Sequence, residues 1–200
     1  MKRFVDVSGE PYAMWSILRS GNSVMVRCTC GSEAWIRSDN DQLVLICKSC
    51  MQKKVYEQAA VYRVSGNCNY CDRWFNEQLQ EQRQFTQHML NYPCPHCGTV
   101  QAMPVQKRFD CIYYAPEIRQ GREPYFGMEL YFMAAYRGKP VWALNREHLD
   151  YLLHYIAADQ RQRPTYAYTR TASYRVPRYM KAAKNRDGIV KLLTRMQNQW

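Results

Sequence analysis

The chain has 200 residues, 46% of them apolar and 22% charged, with 28 basic against 17 acidic side chains for a formal charge of +11. This composition excludes wholesale disorder, and the length suffices for one ordinary domain or two small ones. Its purely apolar runs are short, such as Leu43 to Ile46, which excludes a bilayer-crossing helix.

The N-terminal run Met1-Lys2-Arg3-Phe4-Val5-Asp6 reaches an acid at once and has no apolar signal core. A soluble, cytoplasmic protein is therefore expected. In a reducing cytosol nine cysteines are too many for disulfides. Eight of them form four close pairs, Cys28/Cys30, Cys47/Cys50, Cys68/Cys71 and Cys94/Cys97. Two such knuckles per ion supply the tetrahedral sulfur cage that zinc prefers. A redox dithiol competes for any one pair, but redox motifs come singly on a βαβ frame.

In chain order, Val24-Met25-Val26-Arg27 runs as a strand into the first knuckle and Ala34-Trp35-Ile36-Arg37 leaves it. Residues 38–41 read as a turn, and Leu43 to Ile46 returns to Cys47. Gly31 and Gly98 follow the second cysteine of their knuckles, where the chain must turn back so that amides face the sulfurs. Trp74-Phe75 leaves the third knuckle as a strand. The polar insert Asn76 to Leu90 reads as a short helix or long arm, and Thr99 to Val105 closes the unit. Sequential ligation is expected, Cys28, Cys30, Cys47 and Cys50 on one Zn2+ and Cys68, Cys71, Cys94 and Cys97 on the other; interleaving stays open. Two ions at about 10–16 kcal/mol each would dominate folding of residues 1–110, so chelation is expected to unfold them.

Four sulfurs per ion leave no vacancy for a reactive water, so both sites read as structural. The run Pro93-Cys94-Pro95-His96-Cys97 matches half of a zinc-deaminase signature. None of His88, His96, His148 or His154 has a glutamate two residues on, and the deaminase reading fails. His96 reads as a knuckle residue and Cys111 as a small buried hydrophobe.

Beyond the ribbons, Gly127 to Tyr136 and Pro140 to Leu144 read as a hairpin turning at Arg137-Gly138-Lys139. Asn145 caps a helix over Arg146 to Gln160, with Leu149, Leu152, Leu153, Ile156 and Ala157 on one stripe and Pro164 as its stop. Tyr151 and Tyr155 edge the core; His148 and His154 lie on other faces, where they could be exposed. Tyr179 to Lys184 and Ile189 to Met196 read as helical, with Asn185-Arg186-Asp187-Gly188 as a break or cap. The expected fold class is α+β, two small zinc-ribbon units followed by a β-hairpin and helices. Its divisions are 1–66, a first ribbon; 67–110, a second; 111–163, hairpin and amphipathic helix; and 164–200, a basic tyrosine-rich tail.

Residues 161–200 hold ten basic side chains against Asp187 alone, whereas residues 1–160 sum to only +2. Eight thiolates and two divalent ions lower that body to about −2, so nearly the whole positive field belongs to the last forty residues. Arginines interleaved with Tyr166, Tyr168, Tyr174 and Tyr179 suit phosphate contact with base stacking. Arg170, Arg175, Arg178, Lys181, Lys184, Arg186, Lys191 and Arg195 are the candidate nucleic-acid contacts, with Arg178, Lys181 and Lys184 as one basic ridge.

The stretch from Gly138 to Leu149, with Arg178 to Arg186 and the Cys68/Cys71 and Cys94/Cys97 pairs, resembles a group of bacterial TFIIB-type zinc-ribbon proteins. These are often labelled replication-restart-helicase-like. The resemblance spans roughly residues 67–196 and implies a bacterial cytosolic zinc protein near DNA or RNA transactions; it implies no catalytic residues. No G-x-x-x-x-G-K-[ST] loop supports helicase activity. The sequence reading is a non-enzymatic zinc protein that binds nucleic acid through its basic C-terminal segment. The alternative is an adaptor or immunity/antitoxin-like inhibitor docking on an acidic protein. Neither involves a membrane.

Overall fold

The computed structural model describes all residues except 1, 41, 58–59, 80–87, 110–117, 166–169 and 199–200. It is an α+β protein in two compact units, Met1–Tyr56 with Ala115–Trp200, and Glu57–Tyr114. Cys111, Tyr166, Tyr168 and the middle of the polar insert lie outside the described residues.

The first unit opens with β1 (Arg3–Val5) and α1 (Met14–Arg19), followed by β2 (Val24–Arg27), β3 (Glu33–Asp39), β4 (Gln42–Ile46) and β5 (Lys53–Val55). Strands β2 to β5 form an antiparallel meander in sequence order. Val24, Met25 and Val26 are all buried, because β2 is covered on both faces and bonded on both edges. On the edge away from β3, Met25 N–H donates to Leu144 O at 2.7 Å, and Arg27 N–H to Glu129 O at 2.8 Å.

The second unit contains β6 (Ala60–Asn67), β7 (Trp74–Gln78), β8 (Met89–Pro93) and β9 (Val100–Phe109). Two antiparallel hairpins, β6–β7 and β8–β9, join through β6 and β9. Both ends of the polar insert are strand, not helix. Among the described residues its main buried cluster is small, Val64, Cys68, Phe75, Cys94 and Met103, with Tyr62 buried as well.

The chain re-enters the first unit and forms the hairpin β10 (Phe132–Tyr136) and β11 (Lys139–Ala143). Arg137 and Gly138 both adopt positive φ, which matches the right-handed strand twist in a two-residue turn. The first strand starts later than the apolar run suggests. Glu123, 1% exposed, accepts the N–H groups of Tyr125, Phe126 and Met128 and folds that stretch into a loop around its carboxylate.

Helix α2 (Arg146–Ala157) starts at Asn145, whose side chain accepts the His148 N–H at 2.9 Å. It ends at Ala157, well before Pro164, because Gln160–Gln162 become β12, paired in parallel with β1. His148 is not exposed: it is 7% accessible, with its ring stacked on Tyr12 at 4.8 Å. His154 is exposed, and Tyr151 and Tyr155 are buried in the core.

A single 3-10 turn (Ala172–Arg175) precedes α3 (Arg178–Lys181); another (Ala183–Asn185) leads into α4 (Arg186–Asn198). Gly188 lies inside α4 and breaks nothing: a Cβ there would sit 2.5 Å from Tyr136 Cε2, so glycine allows the close approach of that ring. Met180, Ile189, Leu193 and Met196 complete the core with Phe132, Val141, Leu149, Leu152 and Ile156. The basic segment is therefore part of a folded unit. Among the described residues no helix is long and apolar enough to cross a membrane.

Candidate metal centres

All four knuckles sit in β-turn connections, so strand pairing sets where the sulfurs meet. In the first unit the turns β2–β3 and β4–β5 present Cys28/Cys30 and Cys47/Cys50 at one end of the sheet. In the second, β6–β7 and β8–β9 present Cys68/Cys71 and Cys94/Cys97 likewise. The sulfurs group in sequence order, Cys28, Cys30, Cys47 and Cys50 together and Cys68, Cys71, Cys94 and Cys97 together. Each group of four Sγ atoms lies within 4.8 Å of one another.

The spacing fits zinc. A zinc–sulfur length of about 2.3 Å requires a tetrahedron with edges of about 3.8 Å. The sulfurs of Cys28 and Cys50 are 3.6 Å apart and those of Cys30 and Cys47 3.7 Å. In the second group Cys68 and Cys97 are 3.6 Å apart and Cys71 and Cys94 3.8 Å. A disulfide needs about 2.05 Å, and these cysteines are free. The chain thus carries two closed tetrathiolate groups, suited to two structural Zn2+ ions.

The knuckles share one backbone device. The first cysteine's N–H donates back across the turn: Cys28 to Ser32 O, Cys47 to Gln52 O, Cys68 to Arg73 O and Cys94 to Thr99 O, at 2.8 to 3.0 Å. Cys28-Thr29-Cys30 spans one residue fewer and still closes. In every knuckle the residue after the second cysteine has positive φ: Gly31 87°, Met51 58°, Asp72 56° and Gly98 75°. Glycine marks two of these positions in the sequence; Met51 and Asp72 give no such signal. The His96 N–H donates to Cys94 Sγ at 3.4 Å, while its ring Nε2 lies 3.4 Å from Trp74 O. His96 is a knuckle residue and belongs to neither sulfur group.

Four crowded thiols cannot all keep their protons comfortably. Hydrogen bonds from the Ser32 backbone and side chain draw Cys30 down to about 6. The Thr99 hydroxyl and N–H do the same for Cys97, also to about 6. The Gln52 N–H favours the Cys50 thiolate, yet the neighbouring Cys28 and Cys47 sulfurs push that thiol up to about 12. Each group therefore holds thiolate character at neutral pH, and a divalent cation neutralises the rest.

The eight candidate cations divide into two sets. Arg175 Nε bonds Glu10 Oε1 at 2.7 Å, Arg170 approaches Glu10 Oε2 at 3.9 Å, and Arg186 pairs with Asp159 at 3.0 Å. Lys181 is half-buried and donates to Ser173 O at 3.2 Å. Burial lowers its pKa, and Arg161, Arg178 and Arg163 lower it further by repulsion. Arg178, Lys184, Lys191 and Arg195 are exposed and have no ion pair among the described residues. The basic ridge does not form as one helical row, because the chain is extended at Ala182, after α3. Of the described tyrosines in this segment, Tyr174 is 57% exposed with Arg170 over its ring, whereas the Tyr179 hydroxyl is engaged by Pro140 O.

No family model matches the chain, and neither does any curated protein or solved structure.

Proposed function

We propose that this chain is a non-enzymatic structural-zinc protein of the bacterial cytoplasm that binds nucleic acid through the folded cationic surface of its C-terminal segment. The observation that carries the reading is the group Arg178, Lys184, Lys191 and Arg195, exposed and without described acidic partners. Lys191 and Arg195, four residues apart on α4, share one face. Arg161, Arg178 and Arg163 crowd Lys181 with positive charge that Asp6 offsets only in part, a field that a chain of phosphates would neutralise. Arg170, Arg175 and Arg186, held by Glu10 and Asp159, position the segment. The resemblance to bacterial TFIIB-type zinc-ribbon proteins points the same way. With both sulfur cages closed, neither metal offers a position for a substrate.

Binding should weaken steeply with log salt, since each neutralised phosphate contributes about 0.9 to the slope. Replacing the four exposed cations by alanine should flatten that slope by roughly 3. An unchanged slope would refute the assignment. Co-purification of one stoichiometric acidic protein, with no nucleic acid retained, would favour the adaptor reading instead.

A further inference from the structure

Beside these cations the first unit has a recess lined by Tyr12, Pro140, Trp142, His148, Arg175 and Met180, among others. It is small, about 30 Å³, room for two or three waters or the edge of a flat ring. His148 anchors it. Its Nδ1 accepts the Leu144 N–H at 3.2 Å, which leaves the proton on Nε2. Burial holds the ring neutral, with a pKa lowered to about 3. Nε2 has no partner among the described residues, yet it is not among the sealed orphan atoms, which are Asn185 Oδ1 and Arg186 Nε. His148 itself lines the recess. The Trp142 and Tyr12 rings, both half-buried, pack beside His148 at centroid distances of 6.0 and 4.8 Å.

We propose that this recess takes the edge of one unstacked nucleobase, making single-stranded nucleic acid the preferred ligand. The proposal rests on the nucleic-acid reading above and names its substrate class. The aromatic and apolar wall suits the π-face of a base, and the unused His148 Nε2–H suits an acceptor on its edge. The charge around it is mixed. Arg175, which lines the recess, is paired with Glu10, and Glu147 and Asp150 act on the Tyr12 hydroxyl, whereas Pro177 and Met180 line it from α3 and its start and Arg178 is exposed on that same turn, where the adjoining phosphates would lie. A base paired in a duplex cannot present both its edge and its face.

The test uses the zinc-loaded full chain and three labelled probes of about 12 nucleotides: a mixed-sequence single strand, its duplex, and an abasic single strand of the same phosphate count. The single strand should bind about tenfold more tightly than either control. Trp142→Leu should remove most of that preference while leaving the salt slope unchanged. Tyr12→Leu serves as a second variant should the first melt early. Equal affinity for the base-bearing and abasic strands, or a preference that survives both variants, overturns the base site while the phosphate-binding function stands. Failure of all three probes to bind overturns the function itself and the inference with it.

Discussion

Arg175 Nε donates to Glu10 Oε1 at 2.7 Å, and Arg170 reaches the other oxygen of the same carboxylate at 3.9 Å. One acid near the N-terminus therefore holds two arginines of the C-terminal segment. The field is tempered, and the basic region is tied into the fold.

Replacing Glu10 by glutamine should strengthen nucleic-acid binding a few-fold at low salt, because two cations lose an internal counter-charge. Stability should change by about 1 kcal/mol, because both arginines are solvent-exposed although Glu10 itself is only 16% accessible. Fluorescence anisotropy against a single-stranded probe, with a thermal melt, reads both effects. Weaker binding would mean that Glu10 orients the arginines more than it competes for them.

Metal removal should act unequally on the two units. Among its described residues the second buries Tyr62 and a cluster of five, Cys68 and Cys94 of the sulfur group among them, and should lose its structure with a chelator. The first packs α2, α4 and the β10–β11 hairpin around sixteen buried residues, none of them cysteine. Amide exchange should become fast in β6 to β9 while α2 and α4 stay protected. This narrows the sequence expectation that all of residues 1–110 would unfold together, because β2 is bonded to residues 129–131 and 144.

The left-handed residue of each knuckle gives a test of opposite sign. Gly98→Ala should destabilise the zinc-bound protein by about 1–2 kcal/mol. The effect is conformational, since a Cβ at Gly98 meets nothing within 4 Å. Asp72→Gly should leave stability equal or raise it by up to about 1 kcal/mol. Denaturation midpoints at fixed free zinc distinguish the two.

Acid should expose the buried imidazole. The folded His148 takes up a second ring proton only near pH 3, against 6.5 for an ordinary histidine. Below about pH 6.5 the unfolded chain binds a proton that the folded chain refuses, so stability falls as the pH drops from about 6.5 towards 3. His148→Gln should flatten this fall by up to about 1.4 kcal/mol per pH unit. Comparing the two proteins cancels zinc loss, which is common to both. Parallel pH curves would contradict the role of His148.

The ribbons were legible because cysteine spacing and alternating strands are local signals. Asn145 as a cap and the Leu149–Ile156 stripe were legible for the same reason. What escaped depends on distant partners. β12 forms only because β1, more than 150 residues earlier, supplies its edge. His148 is buried because Tyr12 stacks on it, which no helical periodicity encodes. Gly188 reads as a breaker until Tyr136 is seen against it. Glu10 gives no hint in sequence that it will hold Arg170 and Arg175.

The measurement that bears most directly on the whole account is metal content with X-ray absorption at the zinc edge on the purified full chain. Two zinc ions per chain, each with four sulfurs at about 2.3 Å, are predicted. Fewer than two ions, or a nitrogen or water ligand in either shell, would contradict the closed structural cages on which the account rests.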